Sequence, residues 1–122
     1  MKTINGNMLR KMLVGGASLL KENKSYVDSL NVFPVPDGDT GTNMSMTMNA
    51  VVTEINNCPN NNIDELCEAF SKGALRGARG NSGVILSQIL KGLASVLKQE
   101  KTEINAKTFA KALTAGAEVA YK

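Results

Sequence analysis

Between Val84 and Leu97 the residues Val84, Ile85, Leu86, Ile89, Leu90, Leu93, Val96 and Leu97 recur at three- and four-residue intervals, the period of a helix with one strongly apolar face. The same period runs through most of the chain, and no segment alternates with the period of two that a half-buried strand requires. Ile4, Met8, Leu9, Met12, Leu13, Leu19 and Leu20 predict a helix over residues 3 to 22, with Gly15-Gly16 as a kink or a close helix crossing. A second, short helix is expected from about Ser25 to Asn31, because Pro34 disfavours helical geometry just before it. Met44, Met48, Val51, Val52 and Ile55 define a third helix from Thr42, closed by the polar turn NNCPNNN. Ile63, Leu66, Cys67 and Phe70 form the stripe of a fourth, capped by Asn62, helped by Asp64 and Glu65 in its first turn, and running to about Leu75. After the solvated stretch KQEKTE, Asn105 caps a last helix with Phe109, Leu113, Ala117 and Ala120 turned inward. The expectation is an all-α chain of six or so helices.

Composition supports that class and narrows the function. With 122 residues the chain is sized for one domain, and with 4% aromatic residues its core must be built from aliphatic side chains, Met and Ala. Fourteen basic against eleven acidic residues are scattered without a run, and there are few rings to stack on bases, so nucleic acid is not an expected partner. Cys58 and Cys67 have neither C-x-x-C spacing nor a histidine anywhere in the chain, which argues for reduced, packing cysteines and against a zinc site. The apolar stretch MLVGGASLL is bounded by Arg10, Lys11 and Lys21 with no small-x-small cleavage site after it, and nothing reaches the length of a membrane span. A cytoplasmic location is expected. The alternating Met44, Met46 and Met48 read as gap-filling core.

The chemistry concentrates in two glycine-rich turns, each running into an amphipathic helix. In NVFPVPDGDTGTNM, Gly38 allows a turn tight enough for Asp37 and Asp39 to converge, and two converging carboxylates are unfavourable without a cation between them. An EF-hand starting at Asp37 would need Gly at Thr42 and Glu at Met48, so calcium by that route fails. Magnesium suits one or two carboxylates and fills its shell with water and phosphate. The amides of Gly41, Thr42 and Asn43 open the next helix, where phosphate is favoured. The second turn, GNSG from Gly80 to Gly83, offers further amides and the Ser82 hydroxyl to a second phosphate. Arg76 and Arg79 beside it read either as phosphate ligands or as solvated surface arginines, and Tyr26 lies near the acidic turn. Taken singly, each turn also reads as a simple connector between helices.

Together, LNVFPVPDGDTGTNM and GARGNSGVILSQIL, in order and about forty residues apart, resemble the DhaL-type nucleotide-binding domain of dihydroxyacetone kinases, and most closely its branch in the large subunit of bacterial fatty acid kinase. The resemblance implies that residues 1–122 are the N-terminal part of such a domain, an incomplete eight-helix barrel with ATP or ADP and Mg2+ at one rim, and a chain that stops short of the helices closing the adenine side. It implies metal ligands at Asp37 and Asp39, with Asn31 nearest to a third. It places the nucleotide against Thr40, Gly41, Thr42 and Asn43 and against Gly80, Asn81, Ser82 and Gly83. Thr40 follows the second acid where the glycerone branch typically has His, which favours the fatty acid branch. The implied reaction is phosphoryl transfer to a fatty acid carboxylate presented by a DegV-like fatty-acid-binding partner, with no general base and with this fragment inactive alone. Incomplete closure implies an exposed apolar patch and self-association. A glycerone-type kinase and a non-catalytic helical adaptor are the alternatives.

Overall fold

The computed structural model describes residues 3–30, 38–100 and 103–121. A three-residue strand β1 (Thr3–Asn5) leads into α1 (Gly6–Ser29), followed by α2 (Thr40–Asn56), α3 (Ile63–Gly77), α4 (Gly80–Leu97), a strand β2 (Glu103–Asn105) and α5 (Ala106–Tyr121). The chain is all-α in architecture. α2 packs on α1, α3 and α4, and α4 packs in turn on α3 and α5. Val51, Ile55, Ile63, Leu66, Phe70 and Leu97 are completely buried where these helices meet, an aliphatic core with one aromatic ring at its centre. Among the described residues no helix is long and apolar enough to cross a membrane.

Several local expectations change. The segment from Ser25 to Ser29 is no separate helix but the last turns of α1, which runs unbroken through Gly15-Gly16. Both glycines face open space, so the pair marks no helix crossing. The inward face of α1 is Leu9, Leu13 and Ala17, while Leu19 and Met12 stand well exposed. Five helices are described, α2 starts at Thr40, and α3 runs on to Gly77. Of the three methionines of α2, Met48 is buried in the core, Met44 is half-buried and Met46 exposed, so the gap-filling reading holds for Met48.

Two strands appear where none was expected. β1 and β2 pair antiparallel with Ile4 opposite Ile104, and the buried Ile104 makes the pair the floor of the core. Each strand ends in an asparagine that caps the helix behind it: Met8 N–H donates to Asn5 Oδ1 at 2.9 Å and Thr108 N–H to Asn105 Oδ1 at 2.8 Å. Three residues are too few to show a period, and an isolated strand of that length has no stability without its partner. Asn62 is the N-cap residue of α3 as expected, its carbonyl accepting Leu66 N–H at 2.9 Å, but its side chain makes no capping bond and instead donates from Nδ2 to Glu65 Oε2 at 2.7 Å.

Phe109 of α5 packs against the core as expected, but the middle of the helix turns a different face inward. Ala112 and Gly116 are buried, whereas Leu113 is 51% exposed and Ala117 faces outward. A Cβ on Gly92 would lie 2.5 Å from Ala115 O and from the Gly116 Cα, so α4 and α5 approach backbone to backbone. So close a crossing admits only small residues, and the face of Ala and Gly wins over the face holding the leucine. α1 is locked to the far end of α2 by Arg10. Its guanidinium donates to Ile55 O at 2.7 Å, to Cys58 O at 3.0 Å, to Asn60 O at 2.9 Å and to Asn61 Oδ1 at 2.6 Å. A cation suits the negative end of a helix, and here it also ties down the loop behind it.

Candidate functional site

The first glycine-rich turn is built on the last turns of α1. Gly38, directly ahead of Asp39, has φ +63°, the left-handed region that glycine enters without a Cβ penalty. Asp39 is the N-cap residue of α2, with its carbonyl accepting the first helical bond from Asn43 N–H at 2.8 Å. Gly41 is pressed against α1 so closely that a Cβ would stand 2.3 Å from Lys24 O. One residue on, Thr42 N–H donates to Asp28 Oδ1 at 2.9 Å and Thr42 Oγ1 donates to Asp28 Oδ2 at 2.5 Å. The Thr42 hydroxyl, then its amide, hold the Asp28 carboxyl below the usual carboxylate range, with smaller help from the Gly41 amide and Lys24 against the effect of burial. The positive end of α2 is therefore occupied by a carboxylate from α1.

The second turn is arranged otherwise. Gly80 has φ +66°, and a Cβ there would fall 2.4 Å from Asn43 Nδ2. The first intrahelical bond of α4 runs from Gly83 N–H to Arg79 O at 3.1 Å, which leaves the amides of Gly80, Asn81 and Ser82 with no acceptor inside the helix. Gly80 and Asn81 are exposed and Ser82 is half-buried, its hydroxyl 3.4 Å from Thr40 O. Gly83 is buried, and its missing Cβ makes room for Thr47 Oγ1, which would lie 2.5 Å away.

Thr47 is the hinge pin between the two turns. Completely buried, its Oγ1 donates to Asn43 O at 2.9 Å and accepts Arg79 N–H at 3.1 Å. Thr40 and Asn43 thus face Gly80 and Ser82 across one short gap, and two motifs far apart in sequence form one surface. Neither Thr47 nor Asp28 stood out in the sequence. The available signal was a threonine on the buried stripe of α2, where a β-branched hydroxyl residue needs a partner.

Thr40, Gly41, Thr42, Asn43, Gly80, Asn81, Ser82 and Gly83 are thereby gathered at one end of α2 and α4, but not all as amide donors. The amides of Thr42, Asn43 and Gly83 have acceptors within the protein, and Gly41 and Gly83 are required by close packing. Asn31 and Asp37 lie outside the described residues. Among the described residues no group of three or more acids, cysteines or histidines could hold a metal. Of the acids in the turn, the described one is Asp39, an exposed carboxylate directly after the left-handed Gly38, and a carboxylate oxygen is the ligand type a hard cation takes. Arg76 pairs with Glu54 at 3.5 Å across a largely exposed contact, and Arg79 contributes its backbone to Thr47 with an exposed side chain. Both cysteines are free thiols, and burial, followed by the charge of Asp64, pushes Cys67 up to about 12.

Residues 34–122 match the family model of the DAK2 domain. Uncharacterized proteins of Staphylococcus aureus strains USA300, N315 and MRSA252 are each 53% identical over 119 residues, covering 98% of this chain. The chain spans 22% of the length of these relatives. A match over most of the chain, carrying both glycine-rich turns, means that it belongs to the DAK2 domain family, the nucleotide-binding, kinase-type domains of the dihydroxyacetone kinase class.

Proposed function

We propose that this chain is the nucleotide-binding part of a kinase that moves the γ-phosphoryl group of ATP to a fatty acid carboxylate, presented by a separate DegV-like lipid-binding subunit. The observation that carries the reading is the meeting of the two glycine-rich turns through Thr47, whose hydroxyl joins Asn43 of the first to Arg79 at the head of the second. The amides of Gly80, Asn81 and Ser82 receive phosphate oxygens at the positive end of α4. Thr40, Gly41, Thr42 and Asn43 form the opposite wall, with the Thr40 and Asn43 side chains within reach of the same anion. Asp37 and Asp39, with Asn31, would hold magnesium, whose contribution when bound is neutralisation of phosphate charge. In the transfer the bond from the γ-phosphorus to the β-bridging oxygen breaks and a bond to the carboxylate oxygen forms, giving an acyl phosphate and ADP. A carboxylate is already ionised at neutral pH, so the chain needs no general base, in keeping with the absence of histidine.

Calorimetric titration of ATP with and without magnesium tests the reading. Binding that requires magnesium and is lost in Asp39→Asn supports it. Binding indifferent to both would overturn it in favour of a helical adaptor. Turnover with dihydroxyacetone in place of a loaded lipid-binding subunit would identify the glycerone branch instead.

A further inference from the structure

The last turns of α1 touch the acidic turn at three successive points. Lys24 O lies where a Gly41 side chain would be, Asp28 O lies 3.6 Å from where a Gly38 side chain would begin, and the Asp28 carboxylate holds Thr42 by both its amide and its hydroxyl. Asp39 sits between these points, preceded by Gly38 and followed by Gly41 and Thr42. Its backbone is thus bracketed by contacts to one turn of a neighbouring helix.

We propose that Asp28 is a positioning residue for the acidic turn: it does not ligate the cation but, through Thr42, sets the orientation in which Asp39 meets a magnesium-bound nucleotide. The proposal rests on the nucleotide-binding reading above. Two features favour it over a plain helix cap. An ordinary cap comes from the residue preceding the helix, here Asp39, yet the side chain bonding the first turn of α2 comes from fourteen residues upstream on another helix. The bond to the Thr42 hydroxyl is also additional to anything a helix terminus needs, and it fixes the side chain as well as the backbone. A carboxylate at that place has a second effect. It fills the anion-attracting end of α2, so phosphate is directed to the open amides of α4 and the acidic turn is left to the cation.

The test is the magnesium concentration that half-saturates ADP binding, measured by calorimetry on the whole chain together with melting temperature and metal-free ADP affinity. Asp28→Ala and Asp28→Asn are expected to raise that midpoint about tenfold, as loss of an outer-shell partner does, while metal-free ADP affinity stays within about twofold. Thr42→Val, which keeps the amide bond to Asp28 but loses the hydroxyl bond, should fall between. Should Asp28→Ala not fold, Asp28→Asn and Thr42→Val carry the measurement. A lowered melting temperature with an unmoved magnesium midpoint reduces Asp28 to a helix cap and overturns the proposal alone. A parent chain that binds ADP without regard to magnesium overturns the kinase reading and the positioning role together.

Discussion

The starts of α2 and α4 resemble each other in sequence, each a glycine-rich turn with a left-handed glycine at its head, yet they present opposite chemistry. At α2 the helix terminus is filled by the Asp28 carboxylate and backed by Lys24 O, so its amides already have an anion. At α4 Asn43 and Thr47 pack against the turn, and the amides of Gly80, Asn81 and Ser82 have no acceptor inside the helix. Helix termini attract anions by the same dipole and the same unpaired N–H groups, so the neighbour that packs on each end decides whether it is scaffold or binding surface. One turn is held to α1 by Asp28, and the other is the one that receives phosphate in the proposed reading.

The contrast is broken most severely at Gly80. A valine there must adopt φ +66° and force its Cβ onto Asn43, so Gly80→Val is expected to cost roughly 1–3 kcal/mol of stability and to separate the two turns, abolishing nucleotide binding by calorimetry. The matching change at α2, Gly41→Ala, meets Lys24 O instead and should destabilise without touching the α4 amides. Thr47→Val comes next. It keeps the shape but leaves Arg79 N–H without its acceptor, at a cost of about 1–3 kcal/mol read from denaturant midpoints, and Thr47→Ser should recover most of it. Smaller again is Ser82→Ala, which removes one hydroxyl from the open turn and should weaken ATP binding by about 1 kcal/mol with no change in melting temperature.

The smallest effect expected is a pH dependence confined to α2. Asp28 has its folded pKa lowered below 3.8, so its contribution to stability is complete above that value and is lost as pH falls through the folded pKa. Acid melting curves of the parent should therefore show a limb below pH 3.8 that Asp28→Asn flattens, whereas Ser82→Ala leaves it unchanged.

How much of this was legible beforehand follows from the range of each interaction. The helices of the core announce themselves because a buried stripe repeats every three to four residues, and Leu66, Cys67 and Phe70 lie where that rule puts them. The helical cap at Asn105 was legible for the same reason, being three residues from the amide it accepts. The strand pair was not, since Ile4 and Ile104 are a hundred residues apart and neither segment has a pattern of its own. The α5 face was misread because hydropathy selects Leu113, while the contact with Gly92 selects the smallest residues available.

The sequence by itself determined the helical class, the placing of both glycine-rich turns at helix starts and, through their order and spacing, the family. All of these depend on residues close together along the chain or on a pattern of residue types. Only the tertiary structure decided that the turns meet, that Thr47 joins them, and that Asp28 fills one helix terminus while the other stays open. Those outcomes rest on hydrogen bonds between α2 and its neighbours, spanning 14 residues to Asp28 and 32 to Arg79. A donor and an acceptor so separated have no periodic or local signature, and their pairing exists once packing has paired the helices that carry them.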